Sequence, residues 1–225
     1  MTSIIITSVI SPTSTPLDYS PIRSVFDPSQ RIMQTVDTIK SIRSLLGDAT
    51  RILLVDCSHG ELPDLSPIKN LLSASDQFHD IREVLSVADI VSSPNKGAGE
   101  LYMLDWMIEN GNFESDIYKI SGRYYLDPTF DFNILDKTAD INCKARGFSH
   151  ANNVCLTTFY RMASKDIFRR YIAHGKLLFD KYPFISAEHV LYNFLASHQG
   201  ELKIQNLDRI GVCGRIAVHG EVNCN

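Results

Sequence analysis

Two stretches decide the fold: Ser3-Ile4-Ile5-Ile6-Thr7-Ser8-Val9-Ile10 and, after a helix-patterned segment, Arg51-Ile52-Leu53-Leu54-Val55-Asp56. The first is rich in β-branched residues and stops at Ser11-Pro12, as a buried strand feeding a turn does. Between them Ile32, Met33, Val36, Ile39, Ile42, Leu45 and Leu46 recur at helical spacing over 29–46, and Gly47 closes the segment. Strand, helix and strand within about 55 residues form a βαβ unit, which implies a parallel sheet with right-handed crossovers.

The alternation continues outward. Short helical pieces are expected at 67–73 and 81–85, a strand at 88–92, a helix at 99–109 ended by Gly111, and one central strand over 116–126. Strands at 139–145 and 154–160, helices at 164–180 and 187–198, and a final strand pair near 202–205 and 215–218 complete the pattern. The expected fold class is α/β, a single domain with a central mixed, mostly parallel sheet flanked by helices.

Composition agrees. A chain of 225 residues, 44% hydrophobic and 21% charged, is long enough to bury roughly three quarters of its unfolded surface in one core and too apolar to be disordered. A net charge of -4 argues against broad binding to nucleic acid or an anionic membrane, which needs a concentrated basic face. No apolar run approaches the about 20 residues of a bilayer span, and the N-terminus lacks the basic region and cleavage site of a secretory signal. The five cysteines are odd in number, scattered and without a C-x-x-C pair, so neither a disulfide scaffold nor a structural zinc site is expected, and a reducing cytoplasmic setting is. The seven histidines show no H-x-x-x-H or H-E-x-x-H spacing.

Ligands of open α/β sheets bind beyond the carboxyl ends of the strands. Here those ends carry Ser8 and Val9, Asp56, the loop 93–99, and Ser121 to Asp127. In Ser93-Pro94-Asn95-Lys96-Gly97-Ala98-Gly99-Glu100, two glycines and a lysine at a helix entrance can bring N–H groups and a positive charge to a phosphate; an ordinary glycine-containing helix entry reads the same way. It is neither a Walker motif nor a G-x-G-x-x-G site. Asp56 suits a ribose or nucleobase, or else caps a turn at Ser58 or His59.

Taken in order, these motifs resemble the GT-A fold glycosyltransferases over roughly residues 3–130. The resemblance rests on a first strand, a helix beginning near Arg31 with Gln34-Thr35-Val36-Asp37-Thr38-Ile39, a strand ending in Asp56, then Asn95-Lys96-Gly97, a helix, and a strand running into Pro128. It looks closest to small enzymes of bacterial capsule clusters and large DNA viruses. In the broad family that last strand ends like L-D-x-D-D-x-L-x-P, whose aspartates hold the divalent cation bridging the donor diphosphate. The frame falls here on Ile120-Ser121-Gly122-Arg123-Tyr124-Tyr125-Leu126-Asp127-Pro128, with Ser121 and Arg123 at the metal-aspartate positions.

The resemblance implies a GT-A-like, Rossmann-like domain over residues 1–225, with a nucleotide-sugar half to about 130 and an acceptor half beyond. It implies a nucleotide-sugar donor, a carbohydrate acceptor, and donor contacts from Ser8, Val9, Arg31, Asp56, Asn95, Lys96, Gly97, Ser121, Gly122 and Arg123. A departing diphosphate needs compensating positive charge from a metal or a side chain. Arg123 is a poor metal ligand and a good phosphate ligand, so a metal-independent reaction without cofactor is expected, with Lys96, Lys119 or Arg215 as helpers. Alternatively Arg123 makes a salt bridge with Glu100 or Asp127, or carboxylates such as Asp89 or Asp127 hold a cation such as Mn2+.

Ile185-Ser186-Ala187-Glu188-His189-Val190-Leu191 puts a glutamate in the first turn of a predicted helix behind a capping serine. This resembles the region of metal-independent core-2-type N-acetylglucosaminyltransferases in which a glutamate acts as base. Glu188 is thus the candidate base of an inverting transfer, Asp127 the second choice, and a mere partner of the helix dipole the structural reading. The glycine-punctuated tail offers Arg215 and His219 to the diphosphate, or forms an edge strand and a frayed end. Two other readings stay open. Ile52 to Gly60 faintly resembles the first motif of S-adenosylmethionine-dependent methyltransferases, and loss of both metal aspartates also suits a non-catalytic sugar-binding relative.

Overall fold

Ile4, Ile5 and Ile6 of β1 (Ser3–Ser8) face two different cores in alternation, which is why the run is apolar without a break. β1 pairs in parallel with β2 (Arg51–Asp56) on one side and β4 (Ile117–Ser121) on the other. One core takes Ile5, Leu53 and Val55, the other Ile4, Ile6, Ile52 and Leu54. Each such side chain contributes about 1.5–3 kcal/mol by leaving water. The structure is a computed structural model that describes residues 2–113, 116–146 and 153–225; His150 lies outside them.

The remaining elements, in chain order, are α1 (Pro28–Leu46), α2 (Ser66–Lys69), β3 (Gln77–Asp80), α3 (Leu85–Val91), α4 (Lys96–Asn110), β5 (Tyr124–Leu126), β6 (Ile141–Cys143), β7 (Ala145–Arg146), β8 (Val154–Cys155), β9 (Phe159–Met162), α5 (Lys165–Lys181), α6 (Ala187–Ser197), β10 (Ile204–Asn206), β11 (Val212–Arg215) and β12 (Val222–Cys224). The central sheet runs β10-β6-β9-β4-β1-β2-β3, and β9 is antiparallel to both neighbours. A three-stranded sheet, β12-β11-β5, and a ribbon of β7 and β8 complete the strands of the described residues. α1 covers one face of the central sheet; α4, α5 and α6 cover the other. From β1 the chain builds outward through β2 and β3, then crosses back to β4, so strand order reverses between β1 and β4 and a crevice opens at their carboxyl ends.

Helix starts obey local rules. Asp27 and Gln30 form a reciprocal capping box at α1, with Pro28 in its first turn. Asn95, Ser164 and Ser186 cap α4, α5 and α6.

Tertiary packing overrides the sequence pattern at several places, and the strands expected at 139–145 and 154–160 each divide in two, as β6 with β7 and β8 with β9. The segment 88–92, expected as a strand, lies mostly within α3, because Val87 and Val91 bury one helical face against α4. The predicted helix at 81–85 is largely a turn, and β3 is a half-exposed edge strand too polar to carry a period-2 signal. The single strand expected over 116–126 breaks at Gly122: β4 ends in the central sheet and β5 leaves to pair with β11. Of the two final strands, the one near 202–205 is β10, which pairs with β6, and the one expected over 215–218 ends at Arg215 as β11, which pairs with β12 and β5. Strands β11 and β12 also correct the cysteine reading. Cys213 and Cys224 face each other in antiparallel register and form a disulfide, while Cys57, Cys143 and Cys155 are buried thiols. An odd count of scattered cysteines conceals a pair that only strand pairing brings together.

Asp76 gives the scaffold a measurable test. Its buried carboxylate accepts from Ile52 N (2.7 Å), Ser73 N (2.7 Å) and Ser73 Oγ (2.9 Å), and pairs with Arg43 Nη2. Burial works to raise this carboxyl, but the donors outweigh it and hold it below the usual range. A depressed carboxyl stabilises the fold above its unfolded pKa near ~4, and that contribution is lost as pH falls through the folded value. Asp76→Asn is expected to cost about 2–3 kcal/mol at pH 7 by urea unfolding, with the gap to wild type closing below about pH 4. A gap independent of pH would refute the carboxylate's role.

Candidate functional site

The crevice between β1 and β4 deepens into two connected hollows that share Lys96, Glu100, Ser121, Arg123 and Ala217. The inner one reaches Ser8, Val9, Arg23, Arg31 and Gly122. The outer one, about 300 Å³, is walled by Asn95, Gly97, Thr157, Thr158, Phe184 and Glu188. Two helix N-termini converge on it. A Cβ on Gly97 would stand 2.8 Å from the backbone nitrogen of Ala187, so this glycine is needed where α4 meets the start of α6.

The floor is a polar network. Lys119, fully buried on β4, donates to Ser121 Oγ (2.8 Å) and Thr157 O (2.5 Å) and pairs with Glu100 Oε1. Thr7 Oγ1 (2.9 Å) and Ser121 Oγ (3.3 Å) donate to that same oxygen. Burial works to raise the Glu100 carboxyl, yet Lys119 and Thr7 hold it below the usual range; burial pushes the Lys119 ammonium down and Glu100 opposes this. Thr157 carries the network to the outer wall, where its hydroxyl donates to Glu188 Oε1 at 3.2 Å. Ser186 caps the helix that bears Glu188.

Above the floor the charge is positive. Arg123 sits where β4 turns into β5; its Nη1 donates to the Arg215 carbonyl (2.9 Å), and among the described residues it has no ion pair with Glu100 or Asp127. Among the described residues its other N–H donors have no hydrogen-bond partner, and the guanidinium lies 5.9 Å from the centroid of the Tyr124 ring. Burial, then Arg123 and Arg31, push the Lys96 ammonium well below its usual value, and Glu100 and Glu188 oppose this only in part. Arg31 is buried and braces the exit of β1, donating to Val9 O (2.6 Å) and Ser24 Oγ (3.0 Å). Arg23 ties the loop after β1 to α3 through Val91 O (2.5 Å) and Ser93 O (2.8 Å).

Of the residues singled out from sequence, Ser8, Val9, Arg31, Asn95, Lys96, Gly97, Ser121, Gly122, Arg123 and Glu188 come together in this cleft. Others do not. Asp56 is buried beside it and spends its carboxylate on Ile10 N (2.9 Å), Ser58 N (3.0 Å) and Ser58 Oγ (2.5 Å), the capping role. Asp127 lies past β5 in a turn, accepting from Thr129 N (2.6 Å), with Arg209 3.8 Å away. Lys119 has all three donors committed below the cleft. The Arg215 side chain donates to Gly220 O (3.2 Å), and exposed His219 faces Glu221 at 3.4 Å. Sequence reasoning missed Arg23, in the loop after β1, and Thr157 and Thr158, which lie between β8 and β9 where one continuous strand is expected. It named Glu100 only as a partner for Arg123.

No protein-family model matches the chain, and no curated protein sequence does. Solved structures match its fold. The galactosyltransferase LgtC, in complex with donor and acceptor sugar analogues, aligns with a TM-score of 0.56 at 10% identity over 93% of this chain and 85% of its own. Mouse xyloside xylosyltransferase 1 aligns at 0.52 and 9% identity over 92% and 85%. A nucleoside-diphosphate-sugar pyrophosphorylase from Vibrio cholerae aligns at 0.55 and 12% identity over 94% of both chains. The chain has a GT-A-like fold. At such identities the likeness is one of architecture.

The donor set of this GT-A-like domain offers a divalent cation little. Ser121 has its hydroxyl committed to Lys119 and Glu100, Arg123 carries a positive charge, and Glu100 is neutralised by Lys119. Among the described residues no three of His, Cys, Asp and Glu gather to hold a metal ion. These residues do not fit a divalent cation, which seeks several anionic oxygens. No helix is long and apolar enough to cross a membrane among the described residues.

Proposed function

We propose that this GT-A-like domain is a glycosyltransferase that moves a sugar from a nucleotide-sugar donor to a carbohydrate hydroxyl, with inversion and without a metal. Its place in surface glycan synthesis rests on the sequence resemblance alone. One observation carries the reading: Arg123, free of carboxylate partners among the described residues, stands with Lys96 where the two hollows meet.

As the bond from the anomeric carbon to the donor phosphate breaks, its electron pair leaves on the diphosphate. A guanidinium fork and an ammonium held in a partly dry cleft stabilise that charge far better than water does. Glu188 accepts the acceptor's proton as the hydroxyl oxygen attacks the anomeric carbon. Thr157 orients Glu188, and Phe184, exposed on the outer wall, offers a ring face to the acceptor sugar. In this reading residues beyond 130 supply the acceptor wall, and Ala217 also reaches the donor side.

The test is product analysis with UDP-, GDP- and TDP-sugars. Release of nucleoside diphosphate with sugar transfer, undiminished by EDTA, is expected. Nucleoside triphosphate and sugar 1-phosphate formed only when pyrophosphate is supplied would make the protein a nucleotidyltransferase, and activity abolished by EDTA and restored by manganese would remove Arg123 as the metal's replacement. A thermal shift with S-adenosylmethionine and none with any sugar nucleotide would overturn the reading altogether.

A further inference from the structure

We propose that Glu100 is the residue that binds the transferred sugar and selects it by its hydroxyls. The inference rests on the glycosyltransferase reading and adds a specificity determinant to it. Glu100 lies on α4 and lines both hollows, beside Arg123 and Lys96. Thr7, Ser121 and Lys119 all meet its Oε1; none of these contacts uses Oε2, and the side chain keeps 22% of its exposure. The carboxylate is therefore anchored by one oxygen and presents the other.

Complementarity decides what that oxygen takes. A carboxylate only accepts hydrogen bonds, and so do phosphate oxygens, so Oε2 has nothing to offer the diphosphate. Its complement is a neutral group bearing donors, and the part of a sugar nucleotide that joins a diphosphate to an acceptor is a ring with several hydroxyls. Lys119 cancels the charge of Glu100, so the anion does not oppose phosphate binding next to it. A second observation points to a ligand at the same place. Thr158 lines the outer hollow, and its hydroxyl oxygen is buried without a hydrogen-bond partner among the described residues. A buried polar atom left unpaired is costly, and a ligand hydroxyl or amide seated there would satisfy it. Glu100 from the floor and Thr158 from the wall thus outline a polar subsite.

Calorimetric binding of UDP, GDP and TDP, each alone and as its glucose derivative, tests this. Glu100→Gln leaves Lys119 buried without its counter-ion, so the double variant Glu100→Gln/Lys119→Met, which removes both charges together, keeps the test sound if the single variant fails to fold. For the nucleotide that binds, the expected result is that the affinity gained by adding glucose falls about tenfold in the folded variant, while the nucleoside diphosphate alone binds as in wild type. An unchanged glucose increment in the double variant overturns the role of Glu100 and leaves the glycosyltransferase reading standing. Equal losses for the diphosphate and its sugar derivative also overturn it, because Glu100 would then serve the nucleotide. Wild-type protein that binds none of the six ligands overturns both.

Discussion

Glu188→Gln is expected to lower kcat by about a hundredfold or more while donor affinity stays nearly unchanged. The amide is isosteric and still accepts the hydrogen bond from Thr157, now 3.2 Å from Oε1, so the wall keeps its shape. What it loses is the ability to take a proton at neutral pH. A base works only while the acceptor hydroxyl is being deprotonated, so its loss is felt in the transition state and not in the donor complex. The check is steady-state kinetics with saturating acceptor, together with donor binding by calorimetry. Normal turnover would make Glu188 merely a partner of the α6 dipole, the role its first-turn position also suits. Thr157→Val sharpens the assignment: without the hydroxyl that orients Glu188, kcat should fall while donor affinity stays as in wild type.

Arg123→Ala is expected to cost about 10²–10³ in kcat, the loss seen when one preorganised donor is taken from a developing negative charge, and to weaken nucleoside diphosphate binding as well. Arg123→Lys should recover only part of this, because an ammonium keeps the charge but not the planar fork that meets two phosphate oxygens at once. The mechanism is distinguished from a structural one by the Arg215 carbonyl, which accepts from Arg123 at 2.9 Å. If that bond were the point of the residue, Arg123→Ala would lower thermal stability and leave the rate of the folded fraction intact. Added manganese should not rescue either variant, since Ser121 and Glu100 offer no site for it.

Long periodic segments were readable from the chain alone. Ile32 to Leu46 and Ser164 to Asp180 repeat their apolar residues over several turns and carry caps, so local propensity and burial agree there. Arg123 was singled out through the family resemblance laid on Ile120 to Pro128, and the structure places it in the cleft. Short elements were not readable. Ala88 to Ser92 has the residues of a strand, and only the face it buries against α4 makes it helical.

The polar floor was hidden for a different reason. Lys119 occupies an alternating position of a buried strand where an apolar residue is the norm, and nothing adjacent in sequence announces Glu100, 19 positions earlier on α4, as its counter-ion. Conversely, Asp56 and Asp127 follow strands as ligand-binding residues do, yet their carboxylates are taken up by their own turns.

The amino-acid order by itself determined the mostly parallel α/β architecture, because that follows from the spacing of apolar residues along the chain. Tertiary structure alone decided the break at Gly122, the Cys213–Cys224 pair, and which charged groups neutralise one another. The reason is physical: hydrogen bonds and ion pairs act over a few ångströms in space, and strands distant in sequence must first pack side by side before those distances exist.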